Sequence, residues 1–135
     1  MTKLVLVAAA ALINDKRQVL LAQRPEGKSM AGLWEFPGGK IEAGESPESA
    51  LVRELHEELK IMVNAKTIKP ITFASHAYAS FHLLMPLFTV SEWEGRPEPA
   101  EGQQLEWVHA ADLHDYPAPE ADIPLFDVLV RYLKD

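Results

Sequence analysis

Residues 39–61 read GKIEAGESPESALVRELHEELKI, and the spacing of charged and apolar side chains within them decides the fold. Ser46 followed by Pro47 is a helix start, with a hydroxyl suited to the N-cap and a proline at the first helical position. Leu51, Val52, Leu55 and Leu59 recur at helical spacing and supply the stripe that a core would cover. Glu54, Glu57 and Glu58 are spaced i, i+3 and i+4, so a helix puts all three carboxylates on one face. That face lies beside the apolar stripe rather than opposite it. Like charges this close destabilise an isolated helix by roughly 0.2–0.5 kcal/mol per pair. Such a cluster is expected to hold a cation. Hard divalent ions take oxygen ligands and combine one or two carboxylates with substrate phosphates, so metal-assisted phosphate chemistry is the leading expectation.

Working outward, Leu4 to Ile13 is a near-continuous apolar run, which predicts a central strand buried on both faces. Asn14 to Arg17 supplies turn chemistry, and Gln18 to Gln23 reads as a returning strand. Pro25 to Gly32 is a polar loop with room to border a ligand. A short strand over Leu33 to Phe36 then meets Pro37-Gly38-Gly39, read as a turn that lets backbone approach a ligand closely. Beyond the helix, Lys66 to His76 and Phe81 to Glu92 predict two paired strands, and Gln104 to Val108 a last short one. Ala110 to Leu113 reads as one helical turn. Ala121 to Leu133 reads as a closing amphipathic helix with Pro124 in its first turn. There is no repeat, low-complexity tract or linker, so the expectation is one α/β domain over 1–135.

The chain has 135 residues, 47% of them apolar and 24% charged, as a soluble globular domain does. A net charge of −7 argues against a general nucleic-acid binder, which would show a basic patch. It leaves a polyanionic ligand open if metal ions mediate. The lack of cysteine excludes disulfides and thiolate zinc sites and fits a reducing, cytoplasmic location. The run LVLVAAAALI is too short to span a bilayer and lacks a basic leader, so no membrane partner is expected. Oligomeric state, monomer or homodimer, is left open.

The pattern G-x5-E-x7-R-E-U-x-E-E-x-G-U, with U a bulky aliphatic residue, is the Nudix box. Gly39, Glu45, Arg53, Glu54, Leu55, Glu57, Glu58 and Ile61 match it, and Lys60 stands where the family has glycine. The chain thus resembles the Nudix hydrolases over nearly its whole length. The resemblance implies the Nudix fold, an α/β/α sandwich around a mixed sheet. A glycine at the place of Lys60 would suit a left-handed C-cap, so the helix is expected to end differently here and to run on toward Asn64.

The resemblance also implies that Glu54, Glu57 and Glu58 hold Mg²⁺, or Mn²⁺ in its place, with the Gly38 carbonyl as a further ligand. Arg53 would orient Glu57 by a salt bridge. Glu101, in AEGQQLEW, matches the place where relatives carry an extra metal-binding or basic glutamate on a loop; an ordinary loop charge is the alternative. Glu57, Glu54 and Glu101 are all candidates for the base that takes a proton from water.

Outside the box, QRPEGKSMAGLWEFPGGK, EGQQLEWV and YPAPEADIPL resemble the MutT-type branch, nucleoside triphosphate pyrophosphohydrolases that act on 8-oxo-dGTP. Arg24 and Lys40 are candidate triphosphate contacts beside the Gly-rich turn, with a plain surface role for Arg24 as the alternative. Phe36 is a candidate for the base pocket. Phe81 stands where MutT has a basic residue, so the base pocket is expected to differ. Asp122 falls where MutT places an asparagine that reads the base edge. An ionised aspartate only accepts hydrogen bonds; it could read a guanine or cytosine amine, or it could simply cap the last helix. The ADIPL tail also resembles relatives that hydrolyse CTP and modified pyrimidine triphosphates. A catalytically silent nucleotide-binding domain is the remote alternative, and it would be expected to have lost box carboxylates that this chain keeps.

Overall fold

The computed structural model describes residues 3–134. Seven strands and two helices run in the order β1 (Lys3–Leu12), β2 (Gln18–Gln23), β3 (Trp34–Glu35), β4 (Gly38–Lys40), α1 (Pro47–Leu59), β5 (Lys69–Ala77), β6 (Phe81–Val90), β7 (Gln104–His109) and α2 (Ile123–Tyr132). Short 3₁₀ turns occupy Ala65–Thr67 and Ala110–Asp115.

The strands form two sheets. One has the order β4-β1-β6-β5 and the other β3-β2-β7. The β1–β6 pair is parallel, with Leu4 opposite His82 and Ala10 opposite Phe88, whereas the pairs beside it are antiparallel. The first sheet is therefore mixed, as expected of a single α/β domain. Side chains of β1 alternate between two cores. Ala8, Ala10 and Leu12 join Leu51, Leu55 and Leu59 of α1, while Ala9 and Ala11 join Leu125, Phe126 and Leu129 of α2. Each helix thus covers one face of the sheet, giving the α/β/α sandwich.

Three expectations need correction. Burial on both faces holds only from Ala8 onward, because Leu4 and Leu6 remain 56% and 40% exposed. The core residues of α1 face only the second half of the strand. The Pro37–Gly39 segment is not only a turn: Gly38 to Lys40 pair antiparallel with Ala9 to Val7. Glycine is required there by close approach, since a Cβ on Gly38 would strike the Ala8 carbonyl and one on Gly39 the Glu54 carboxylate. The helix α1 does not run on toward Asn64. It ends at Leu59, and Lys60 itself takes the left-handed conformation (φ 61°, ψ 28°), donating its N–H to the His56 carbonyl at 3.0 Å.

Candidate active site

Helix α1 begins as the sequence implies, with the Ser46 hydroxyl accepting from the Ser49 N–H at 3.0 Å and Pro47 in the first turn. The buried leucines fix the roll of the helix, and that roll aims Glu54 and Glu58 at β4. Arg53 gathers the box together. Its guanidinium donates to Glu45 through Nε at 2.8 Å and Nη2 at 2.9 Å, to Glu54 through Nη1 at 2.9 Å, and to the Lys40 carbonyl at 3.1 Å. The expected pair with Glu57 exists but is longer, at 3.5 Å, and Glu57 is about half exposed. Glu45 is thus the main partner of Arg53. Its carboxyl is held down to about 2 by the Arg53 hydrogen bonds, and Arg53 in turn is pushed further up.

Glu58 reaches across to β4, where an Oε2 accepts the Gly38 N–H at 3.0 Å. Burial pushes its carboxyl up to about 8, the Gly38 hydrogen bond working against this and the negative charges of Glu54, Glu101 and Glu35 adding to it. Burial also raises Glu54, partly offset by Arg53, with Glu57 and Glu101 contributing further. Glu54, Glu57 and Glu58 from α1 and Glu101 from the loop before β7 are thus neighbouring carboxylates at one cleft.

A cavity of about 370 Å³ opens from this cleft. Glu58, Glu101 and Gly38 stand on its wall with Arg24, Lys28, Glu35, Phe36 and Gln103. Arg24 is held by Glu35 (Nη1 to Oε1, 3.0 Å) and by the Ser29 carbonyl, which fastens the Pro25–Gly32 loop at the cavity mouth. Lys40 is exposed and is not on the cavity wall; Lys28 supplies that second positive charge. The sequence signal for Lys28 was its place in a polar, Gly-containing loop. Phe81 also lies off the wall, its ring packed on Tyr78 at 5.1 Å. Phe36 is 5% exposed and meets Phe126 edge-on at 5.6 Å.

Asp122 does not cap α2 with its side chain. Its own backbone is helical (φ −80°, ψ −28°), so the carboxylate points away from the amides it would cap. Instead Oδ2 accepts the Phe36 N–H at 3.4 Å, and the residue is 5% exposed. Burial, with Glu35 nearby, pushes this carboxyl up to about 7 against the small pull of the Phe36 N–H. The segment ahead of it is pinned to the β5–β6 hairpin: the Ala121 N–H donates to the Tyr78 hydroxyl at 3.2 Å, and Glu120 meets His76 at 3.0 Å.

A family profile described as the NUDIX domain matches residues 8–128. The chain belongs to the Nudix family. It is 40% identical over 124 residues to the 8-oxo-dGTP diphosphatase of Haemophilus influenzae, covering 90% of this chain and 89% of that protein. It is 38% identical over 122 residues to the CTP pyrophosphohydrolase of Escherichia coli strain K12, covering 90% and 88%. Among solved structures, MutT from a study of Aliivibrio salmonicida and Vibrio cholerae superposes with a TM-score of 0.81 at 37% identity, covering 96% of this chain and 99% of that one.

This Nudix hydrolase is an enzyme of a class that uses a divalent metal. Among the described residues no three His, Cys, Asp or Glu side chains are drawn tightly enough to form a ready-made cage. Glu54 is turned to Arg53 and Glu58 to Gly38 instead. The donor set still fits a hard cation, because it consists of carboxylate oxygens at or beside a cavity wall, with Glu54 and Glu58 raised by burial and further by neighbouring negative charge. No helix among the described residues is long and apolar enough to cross a membrane.

Proposed function

We propose that this Nudix hydrolase cleaves nucleoside triphosphates to monophosphate and pyrophosphate with Mg²⁺, or Mn²⁺ in its place, and that 8-oxo-dGTP is its preferred substrate. The observation that carries the reading is the composition of one cavity wall. Glu58 and Glu101 stand there with Arg24 and Lys28, so carboxylates suited to a metal and cations suited to phosphate meet in a single cavity. The residues that would hold the metal are Glu54, Glu57, Glu58 and Glu101, with the carbonyl of Gly38, the residue whose N–H meets Glu58. When bound, the ion neutralises phosphate charge and lowers the pKa of the attacking water.

The chain's own residues supply the rest. Arg53 and Glu45 lock the end of Glu54 against β4. Arg24 and Lys28 bind phosphate oxygens, the arginine exchanging Glu35 for the substrate. Among Glu57, Glu54 and Glu101, the base that accepts the water proton must keep a free oxygen near solvent, and exposed Glu57 and Glu101 meet that condition better than Glu54, which is held by Arg53. Phe36 offers an apolar face to the base, and Asp122 polar atoms just behind it. The 8-oxo-dGTP diphosphatase among the relatives supports the purine assignment and a role in cleansing the nucleotide pool. The substrate would be the free nucleotide in the cytoplasm, without nucleic-acid or membrane partners.

A second reading has its own support. The CTP pyrophosphohydrolase is nearly as similar, and a carboxylate at Asp122 accepts from a cytosine amine. The deciting measurement is a panel of kcat/KM values for 8-oxo-dGTP, dGTP, CTP, 5-methyl-dCTP and ADP-ribose with Mg²⁺, resolving pyrophosphate from phosphate. The expected order puts 8-oxo-dGTP first with pyrophosphate as product. A preference for CTP would replace the purine reading, and release of phosphate alone would overturn the reaction.

A further inference from the structure

The loop that brings Glu101 to the cavity is fastened to the last turn of α1. The Glu98 N–H donates to the Leu59 carbonyl at 2.9 Å, and the Ala100 N–H to the Glu58 carbonyl at 3.1 Å. The final carbonyls of a helix lack partners within it, so the loop acts as an external cap. One side chain then joins the two ends of this arrangement. The Gln103 amide donates through Nε2 to the Glu58 carbonyl at 3.1 Å, and its Oε1 accepts the Glu101 N–H at 2.8 Å. Gln103 is partly buried on the wall of the cavity, next to both glutamates. Neighbouring Gln104 is exposed in β7 and makes no such link.

We propose that Gln103 is a positioning residue that sets the Glu101 carboxylate relative to Glu58, and so sets the metal affinity of the site. The inference rests on the reading of Glu101 as a metal-site carboxylate. An amide is the side chain this job requires, because one end must donate to a carbonyl and the other accept from an N–H. An aliphatic residue of similar length fills the space and holds neither end. A glutamate keeps the acceptor for the Glu101 N–H but loses the donor to Glu58 and adds a fifth negative charge. Groups that orient a metal ligand from behind change affinity or activity by roughly 10–100-fold when removed.

The test compares wild type with Gln103→Met, Gln103→Glu, Glu101→Gln and the Gln103→Met/Glu101→Gln double variant. Mn²⁺ affinity is read by electron paramagnetic resonance without nucleotide, and amide exchange at Glu101 by NMR without metal. In Gln103→Met, the Glu101 amide should exchange faster and Mn²⁺ should bind roughly 10-fold more weakly. kcat should fall while KM for the triphosphate stays within about threefold, since the phosphate-binding cations are untouched. Gln103→Glu should keep the Glu101 amide protected. In the Glu101→Gln background, Gln103→Met should change Mn²⁺ affinity less than about twofold, the signature of one residue acting through the other. A Gln103→Met protein with lowered Tm but wild-type Mn²⁺ affinity, or with a full additional loss in the double variant, overturns the inference. If Glu101→Gln itself binds Mn²⁺ and turns over as wild type does, the placement of Glu101 in the metal site falls as well.

Discussion

Asp122 shows how far one carboxyl can depart from its sequence context. Two residues before a proline in a helix-starting tail it reads as a cap, yet its carboxylate accepts instead from the amide of Phe36, far away in the chain and at a long 3.4 Å. A buried carboxyl with so little compensation favours its neutral form, which is why it is pushed up to about 7. The unfolded chain loses this proton near the ordinary value of 3.8. Between about pH 4 and pH 7 the native state therefore holds more protons than the unfolded one, and stability falls as pH rises through that window. Asp122→Asn removes the charge and keeps the shape. Urea unfolding of both proteins should give equal stabilities near pH 4 and an advantage for the variant that grows to pH 8, up to roughly 4 kcal/mol at the limit. A constant difference across that range would show that the carboxyl titrates normally. Such contacts are not legible in sequence, because they depend on which strand end reaches the tail. The same is true of Glu45 as the chief partner of Arg53, and of Lys28 in place of Lys40. Both follow from how a loop closes, whereas Glu54, Glu57 and Glu58 were legible because helical spacing alone puts them together.

At the scale of elements, α1 was readable almost to the residue, since Ser46, Pro47 and the leucine stripe all point to one helix. Its end was not. A lysine at the family's glycine position suggested continuation, but the Ile61 side chain is fully buried and Met62 pairs with Glu94, so the chain must turn at Lys60 whatever its side chain. Tertiary packing outweighs a local cost of about 1 kcal/mol for left-handed backbone at a non-glycine residue. Lys60→Gly should relieve that cost, less the extra entropy of glycine in the unfolded chain. The expected gain is about 0.5 kcal/mol, seen as a Tm raised by roughly 2 °C with kcat unchanged. A lowered Tm would mean that Lys60 makes compensating contacts worth more than the strain. Strand β4 was missed for a related reason. Proline followed by two glycines signals a turn, and only the β1 backbone lying close alongside explains why glycine is needed within a strand pair.

At the scale of the whole molecule, the sequence announces strands but not their neighbours. Apolar runs and turn residues locate β1, β2, β5, β6 and β7, yet nothing local says that β1 lies parallel to β6 or that the strands divide into two sheets. That partition sandwiches the first sheet between the helices and leaves the acidic edge of α1 open to the cavity. The consequence is an electrostatic load in the native state. The chain carries a net charge of −7, and its site holds Glu54 and Glu58, both raised by burial and further by neighbouring negative charge. The unfolded chain disperses the same charges and binds a divalent ion far less well. By mass action, a ligand of the native state at ten times its Kd stabilises by about 1.4 kcal/mol. For a domain of this size that corresponds to a Tm rise of roughly 3–6 °C. Thermal unfolding with Mg²⁺ or Mn²⁺, compared with a chelator at matched ionic strength, should show the rise, and the chelator should reverse it. Glu58→Gln should unfold at a higher temperature than wild type in chelator near neutral pH, because a buried carboxyl pushed up to about 8 no longer has to take up a proton or carry its charge, and it should respond less to the metal. Equal Tm values in metal and chelator would mean that the carboxylates of α1 form only an acidic surface, and that the repulsion built into the fold has no ion to relieve it.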